Sequence, residues 1–114
     1  MFADMKNLDI LDLSRNKIEK VPAEAGRLYC TELNLNQNRI AYLAEEISEC
    51  QKLKTLRIEE NCLQITAIPT KVLKNSIISN ILIDGNLFNN KQFTELDGYN
   101  EYQERYTAVK KKMF

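Results

Sequence analysis

The stretch that decides the fold reads Cys30-Thr31-Glu32-Leu33-Asn34-Leu35-Asn36-Gln37-Asn38-Arg39-Ile40. Leu33 and Leu35 are two residues apart, so an extended chain would place both side chains on the same face. Asn38 follows at a fixed distance, and its side-chain amide offers donors and an acceptor to the backbone of a sharp turn. The stretch therefore predicts a short strand that ends in a turn held by asparagine.

The same spacing, L-x-x-L-x-L-x-x-N-x-L, occurs four times along the chain. Successive asparagines of the pattern are 22, 23 and 25 residues apart, a period typical of leucine-rich repeats. We therefore expect an α/β solenoid with a parallel β-sheet on its concave face. The four sets are Leu8, Leu11, Leu13, Asn16 and Ile18; Cys30, Leu33, Leu35, Asn38 and Ile40; Leu53, Leu56, Ile58, Asn61 and Leu63; and Ile78, Ile81, Ile83, Asn86 and Phe88.

The four asparagines of the pattern are predicted to have a structural role. Stacked repeats bury the backbone of their turns, and an asparagine amide satisfies the polar groups left there. We expect Asn16, Asn38, Asn61 and Asn86 to form a ladder. The rest of each repeat returns through a short helix or an extended turn. Two extra residues near Gln64 predict a local distortion of the third return, with a partner-contacting loop as the alternative.

The repeat ends at Phe88, and a helical pattern follows it. The spacing of three or four residues between Tyr99, Tyr102, Tyr106, Val109 and Met113 predicts an amphipathic helix. Because the last repeat would otherwise expose its apolar edge, this helix is expected to cap the solenoid. The alternative is that its tyrosines form an aromatic docking site. The polar face is expected to point into water; it comprises Glu101, Glu104, Arg105, Lys110 and Lys111.

The predicted organisation has three parts: residues 1–7 as a lead-in without a full cap, 8–90 as four leucine-rich repeats, and 91–114 as the C-terminal helical cap. The lead-in holds too little apolar surface to seal the first strand's edge. We therefore expect either further repeats upstream, or a partner or a second copy of the chain that covers this N-terminal edge.

Composition excludes several classes of function. Sixteen basic and sixteen acidic residues give no net charge, which argues against nucleic acid as a partner. The chain has no histidine and only three glycines, so histidine-activated nucleophiles and glycine-rich phosphate loops are not expected. We predict no enzyme activity, no cofactor, no metal site and no membrane span. The carboxylates of Glu59, Glu60 and Asp84 are the nearest approach to a catalytic cluster.

The cysteines point to a reducing compartment. Cys30, Cys50 and Cys62 are odd in number and contain no C-x-x-C pair, which is unlike a disulfide framework. Cys30 and Cys50 fall on apolar positions of the repeat and are predicted to be core residues, whereas Cys62 is expected to meet solvent. These features predict an intracellular, cytoplasmic location.

Several segments resemble the leucine-rich repeat family: 33–38, 56–63 and 85–88, with a more distinctive C-terminal run over 96–99 and 104–108. The resemblance extends over essentially the whole chain. It implies an intracellular repeat protein whose molecular role is unassigned.

We predict a non-catalytic scaffold or adaptor that binds a protein partner along the concave sheet. The alternatives are a regulatory subunit of an intracellular enzyme, such as a phosphatase or GTPase, and a purely structural end of a longer solenoid. Arg57 is the expected main contact, because arginine is common among residues that dominate binding energy. The predicted contact residues are Asp12, Arg15, Glu32, Asn34, Asn36, Thr55, Arg57, Glu59, Asn80, Leu82 and Asp84.

Overall fold

The computed structural model describes residues 9–112, which form six short strands, three 3₁₀ helices and three α-helices. Leu8, the lead-in 1–7 and Met113 lie outside the described residues. The strands are β1 (Ile10–Asp12), β2 (Lys20–Val21), β3 (Glu32–Asn34), β4 (Tyr42–Leu43), β5 (Thr55–Arg57) and β6 (Asn80–Leu82). The α-helices are α1 (Thr70–Lys74), α2 (Asn90–Thr94) and α3 (Tyr99–Lys112).

The predicted parallel sheet is confirmed, with one strand from each repeat in the order β1-β3-β5-β6. Every neighbouring pair is parallel, and the inward residues Leu11, Leu33, Leu56 and Ile81 lie side by side in the register. All four are buried, while the residues on either side of them face outward. The sheet, the repeat pattern and the C-terminal helix together fit an α/β repeat fold.

The return segments are more regular than the sequence indicates. The first two returns form the 3₁₀ helices Ala23–Arg27 and Glu45–Glu49, and before them β2 and β4 pair as a second, unpredicted parallel sheet. The two 3₁₀ helices approach so closely that a Cβ on Gly26 would collide with the Glu46 carbonyl oxygen. In the third return, the extra residues are part of a further 3₁₀ helix, Ile65–Ala67, and α1 follows it instead of a loose bulge.

One continuous apolar core lies between the sheet and the returns. The predicted core thiols Cys30 and Cys50 are both buried in it, whereas Cys62 is exposed. Burial raises the pKa of the Cys50 thiol to about 12, and Cys50 Sγ donates to the Ala25 carbonyl at 3.1 Å. Cys50 thus joins the second return to the first.

Three of the four repeat asparagines connect neighbouring repeats. Asn38 Oδ1 accepts from the N–H groups of Asn16 and Ile18, both at 3.1 Å, and Asn38 Nδ2 donates to the Leu13 and Leu35 carbonyls. Asn61 and Asn86 repeat this arrangement one and two repeats further on.

Asn16 does not follow the ladder expected from the sequence. Its side chain is exposed and, among the described residues, donates to the Leu13 and Ser14 carbonyls of its own repeat. Asn38, Asn61 and Asn86 each reach into the preceding repeat, but no repeat precedes Asn16 among residues 9–112. Within the described part of the chain, the Asn16 side chain therefore stabilises the turn of its own repeat.

The C-terminal helices pack against the last strand. Asn89 begins α2 with a capping box, accepting from Gln92 N–H while its own N–H donates to Gln92 Oε1. In α3, Tyr102 is buried and its ring meets Phe93 edge to face at 5.8 Å. Its hydroxyl accepts the Ile81 N–H at 2.9 Å, so α3 satisfies part of the sheet edge.

Two residues of α3 contradict the predicted faces. Arg105, expected in water, is half-buried and donates to the Ile78 and Val72 carbonyls. Val109, expected in the interface, is 41% exposed. Arg105 packs inward because buried carbonyls without a hydrogen-bond donor cost free energy, and its guanidinium donates to both.

Candidate functional site

The predicted contact residues lie on and beside the outward face of the four-stranded sheet. The register aligns Glu32 with Thr55 and Asn80 in one column, and Asp12 with Asn34, Arg57 and Leu82 in the next. Asn36, Glu59 and Asp84 continue each strand by two residues. All eleven predicted residues are exposed or half-buried, so the described chain leaves each side chain at least partly accessible. We call this surface the sheet face.

Polar side chains on the sheet face hold one another in place. Asn36 and Glu59 exchange two hydrogen bonds across neighbouring repeats, from Asn36 Nδ2 to Glu59 Oε1 at 3.1 Å and from Glu59 N–H to Asn36 Oδ1 at 2.8 Å. Asp12 Oδ1 accepts from the hydroxyl and N–H of Ser14, and these bonds lower the pKa of the Asp12 carboxyl. The face is therefore ordered before any partner arrives.

Arg57, the predicted main contact, is not a free cation. Its Nε donates to Glu32 Oε2 at 2.9 Å, and both side chains are about one-third exposed, 35% and 28%. The sequence could not indicate this pair, because it joins residues 25 positions apart. The parallel register brings them together: Glu32 aligns with Thr55, and Arg57 reaches back to it from two residues along β5.

Arg15 lies apart from the two strand columns, at a turn. It adopts a left-handed backbone with φ 58°, and its Nε donates to Gln37 Oε1 at 2.9 Å. Together with the exposed Lys17 and Arg39 it borders a shallow, basic depression on the turn side of the first two repeats. Lys17 and Arg39 were not predicted as site residues. Each directly follows a repeat asparagine, Asn16 or Asn38, and this shared position would have indicated the cluster.

Two of the three carboxylates considered for catalysis have different surroundings. Glu59 is engaged by Asn36, whereas Glu60 occupies a left-handed turn position with φ 55°. Within residues 9–112, His, Cys, Asp and Glu side chains form no group of three or more that could hold a metal ion. Over the same residues, none of the helices combines the length and apolar character that crossing a membrane requires.

A cleft of about 380 Å³ adjoins the sheet face at its last strand. The successive residues 80–84 form one wall, and aromatic residues of α2 and α3, among them Phe93, Tyr99 and Tyr106, form the other. The tyrosines were predicted to cap the repeats, with an aromatic docking site as the alternative, and Phe93 was not predicted. Their placement beside an incompletely paired strand adds an accessible recess to the cap.

The comparison with protein families gives one match: residues 7–28 fit the family described as Leucine Rich Repeat. The matched segment contains β1, the turn at Asn16 and most of the first return. The match supports a leucine-rich repeat family for this chain, a family whose domains generally mediate protein–protein interaction and are typically non-catalytic.

Proposed function

We propose that the protein is a non-catalytic scaffold or adaptor that binds a protein partner along the sheet face, the concave side of a leucine-rich repeat solenoid. The observation that carries this proposal is the set of aligned, partly exposed polar columns on four parallel strands. A rigid sheet with fixed side chains loses little conformational entropy on binding.

The Glu32–Arg57 pair supports a binding site at the middle of the sheet. Arg57 belongs to β5 and Glu32 to β3, the two central strands, so each has a neighbour on both sides. A partner that covers this pair would exclude water from it, and the attraction between the two charges is stronger away from water. Leu82 beside Arg57 adds a half-buried apolar contact. The combination favours a partner surface whose charged groups complement the Glu32–Arg57 pair and which carries a small apolar patch for Leu82.

We also propose a finer relationship and a location. The C-terminal run Leu96-Asp97-Gly98-Tyr99, continued by residues 104–108, resembles the C-terminal portion of leucine-rich repeat-containing protein 57. An intracellular, cytoplasmic role is supported by three free cysteines, two of them buried in the core. Fluorescence microscopy of the tagged protein tests the location, and a secreted signal would contradict it.

The proposed function is tested first by finding a partner and then by changing the sheet face. Proximity labelling in cells supplies candidate partners, and each candidate is purified and titrated against the protein by calorimetry. Capture of a phosphatase or GTPase catalytic subunit that binds directly would favour the alternative of a regulatory subunit. Two results would favour the alternative of a structural solenoid end: no purified candidate binds, or the affinity stays the same in every sheet-face variant.

Arg57→Glu is expected to weaken partner binding by about 1–3 kcal/mol, as truncated contact arginines do. It also places two carboxylates next to each other at Glu32, which costs a few tenths to about 1 kcal/mol of stability. The charge-swapped double variant Glu32→Arg with Arg57→Glu restores the pair and serves as the folding control. Calorimetry should show that the swapped variant is stable yet still binds weakly; full affinity in both variants would move the contact surface elsewhere.

A further inference from the structure

The edge of β6 lacks hydrogen bonds that every earlier repeat makes. In each of the first three repeats, the N–H that follows the strand donates to a carbonyl of the next repeat. Ile83 is the fourth equivalent residue, and its N–H has no acceptor within residues 9–112. The three bonds that are made run from Leu13 to Asn34 at 2.8 Å, from Leu35 to Arg57 at 2.8 Å and from Ile58 to Leu82 at 2.9 Å.

The same series recurs two residues later, at the turn. Gly85 is the fourth equivalent there, and in the described part of the chain its N–H also meets no acceptor. Two donors two residues apart therefore face the place where a further strand would present its carbonyls. The three completed bonds run from Arg15 to Asn36 at 2.9 Å, from Gln37 to Glu59 at 3.0 Å and from Glu60 to Asp84 at 2.8 Å.

The C-terminal helices complete only part of this edge. Tyr102 hydroxyl accepts the Ile81 N–H, and Asn86 Nδ2 donates to the Ile83 carbonyl at 2.8 Å. Beyond them the cleft of about 380 Å³ stays open along residues 80–84. This volume is in the range of ligand pockets, and its far wall is aromatic. The edge is thus both incompletely bonded and reachable.

The end of the cleft near Gly85 is negative. The exposed Asp84 lines it there, whereas the cations Arg105 and Lys110 lie over the Tyr102 and Tyr106 rings of α3, 6.0 Å and 5.1 Å from the ring centroids. Glu60 lies beside Gly85: a Cβ placed on Gly85 would be 2.9 Å from Glu60 Cγ. Two carboxylates at the Gly85 end favour a cation in whatever occupies the cleft.

We propose that an extended, basic segment of a partner protein adds to β6 as a further parallel strand. One residue of the segment would accept from Ile83 N–H through its carbonyl, and the carbonyl two residues later would accept from Gly85 N–H, as Leu82 and Asp84 do for Ile58 and Glu60. The residue between them would turn inward toward the aromatic wall. The later residue would be lysine or arginine, next to Asp84. The cleft shares Asn80, Leu82 and Asp84 with the sheet face, but its aromatic wall and the Ile83 and Gly85 donors lie outside that face. Arg57→Glu therefore tests the sheet face alone, and a change in the aromatic wall tests this edge alone.

The test begins with a phage-displayed library of linear heptapeptides selected on the full chain. Two variants provide the discrimination. Gln103→Trp fills the cleft from an exposed position of α3 that lines it, and Glu104→Trp adds the same bulk one residue along, outside the cleft. We expect enriched peptides to carry lysine or arginine, to bind Glu104→Trp normally and to lose about tenfold or more in affinity for Gln103→Trp.

Backbone pairing is then tested with the synthetic peptides and isotope-labelled protein. In solution NMR, peptide binding should move the amide proton signals of Ile83 and Gly85 downfield and slow their exchange with solvent. In a parallel pair the N–H and the carbonyl of one residue point to the same neighbouring strand, so the peptide residue that accepts from Ile83 also directs its own N–H at β6. N-methylation of that residue should weaken binding about tenfold, whereas the N–H of the next residue points away from β6 and its N-methylation should have little effect.

Three outcomes would overturn the proposal: no enrichment on the wild-type chain over Gln103→Trp, equal tolerance of N-methylation at both peptide positions, or Ile83 and Gly85 amides that do not respond. Sedimentation tests whether a second copy of the chain occupies the edge instead. If the protein alone self-associates with rising concentration and this slows exchange at Ile83 and Gly85, a second copy fills the edge and the partner segment is rejected.

Discussion

At the scale of single residues, the asparagine amides illustrate how position within the stack decides energetic weight. Asn38 and Asn61 are buried, at 8% and 6% exposure, and each reaches carbonyls in two repeats. Asn16 has the same place in the sequence pattern but is exposed and bonds only locally. Removing a buried amide strands several backbone groups, whereas water replaces an exposed one.

Asn38→Ala is therefore expected to lower the free energy of unfolding by about 1–3 kcal/mol, since the Asn16 and Ile18 N–H groups and the Leu13 and Leu35 carbonyls lose a partner. Urea denaturation followed by circular dichroism measures the change. Asn16→Ala is the matched control, with an expected loss under about 1 kcal/mol. Equal losses in the two variants would show that the bridging amide has no special role.

A second residue-scale feature escaped the sequence analysis. The residue before each repeat asparagine has a positive φ: 58° at Arg15, 59° at Gln37, 55° at Glu60 and 83° at Gly85. This left-handed turn favours glycine, yet three of the four repeats use another residue. Only the glycine of the fourth repeat signalled the conformation. The other three adopt it because the next repeat's carbonyl receives their N–H.

At the scale of elements, α3 shows what periodicity can and cannot predict. The tyrosine spacing correctly indicated a C-terminal helix, since the pattern follows from the geometry of the helix itself. It placed Arg105 on the wet face, because periodicity treats every charge as a solvent group. The actual position depends on the Val72 and Ile78 carbonyls, which belong to the third return and to the segment leading into β6 and which only the folded chain brings near.

The same distinction applies to the sheet and to its face. Strand register and the outward columns follow from period-two alternation combined with equal repeat spacing, so the sequence was sufficient. The β2–β4 pair and the Glu32–Arg57 ion pair depend on how the returns and long side chains settle across repeats. Those choices are made by tertiary contacts, which a one-dimensional pattern does not contain.

Tyr102→Phe tests the attachment of α3 to the sheet. Removing the hydroxyl leaves the Ile81 N–H without its acceptor beneath the helix, and we expect a loss of about 1–2 kcal/mol in unfolding free energy. Tyr99→Phe removes a hydroxyl that bonds only to the exposed Gln103, so it should cost much less. Hydrogen exchange measured on both variants should show faster exchange at Ile81 in Tyr102→Phe alone. Slow exchange there in both would mean that another group protects the strand.

At the scale of the whole molecule, the free energy of unfolding should change with pH mainly in the alkaline range. The chain contains no histidine, so no side chain of that type titrates near neutrality. Burial instead raises the pKa of three acids of the core, Cys30, Cys50 and Tyr102. Each keeps its proton in the folded protein at a pH where the unfolded chain has lost it. The folded state therefore binds more protons at alkaline pH, and stability falls as pH rises.

The loss should begin near the ordinary thiol pKa of 9.0 and continue toward about 12, the folded value of Cys50, with Tyr102 adding its share above 10.0. Cys50→Ser keeps a donor for the Ala25 carbonyl but removes the thiol. Urea unfolding of this variant should show a decline between about pH 8 and 10.5 that is smaller than in the wild type by about 2 kcal/mol. Cys62→Ser removes an exposed thiol and is the matched control. If the two variants flatten the decline equally, burial of the core thiol is not its cause.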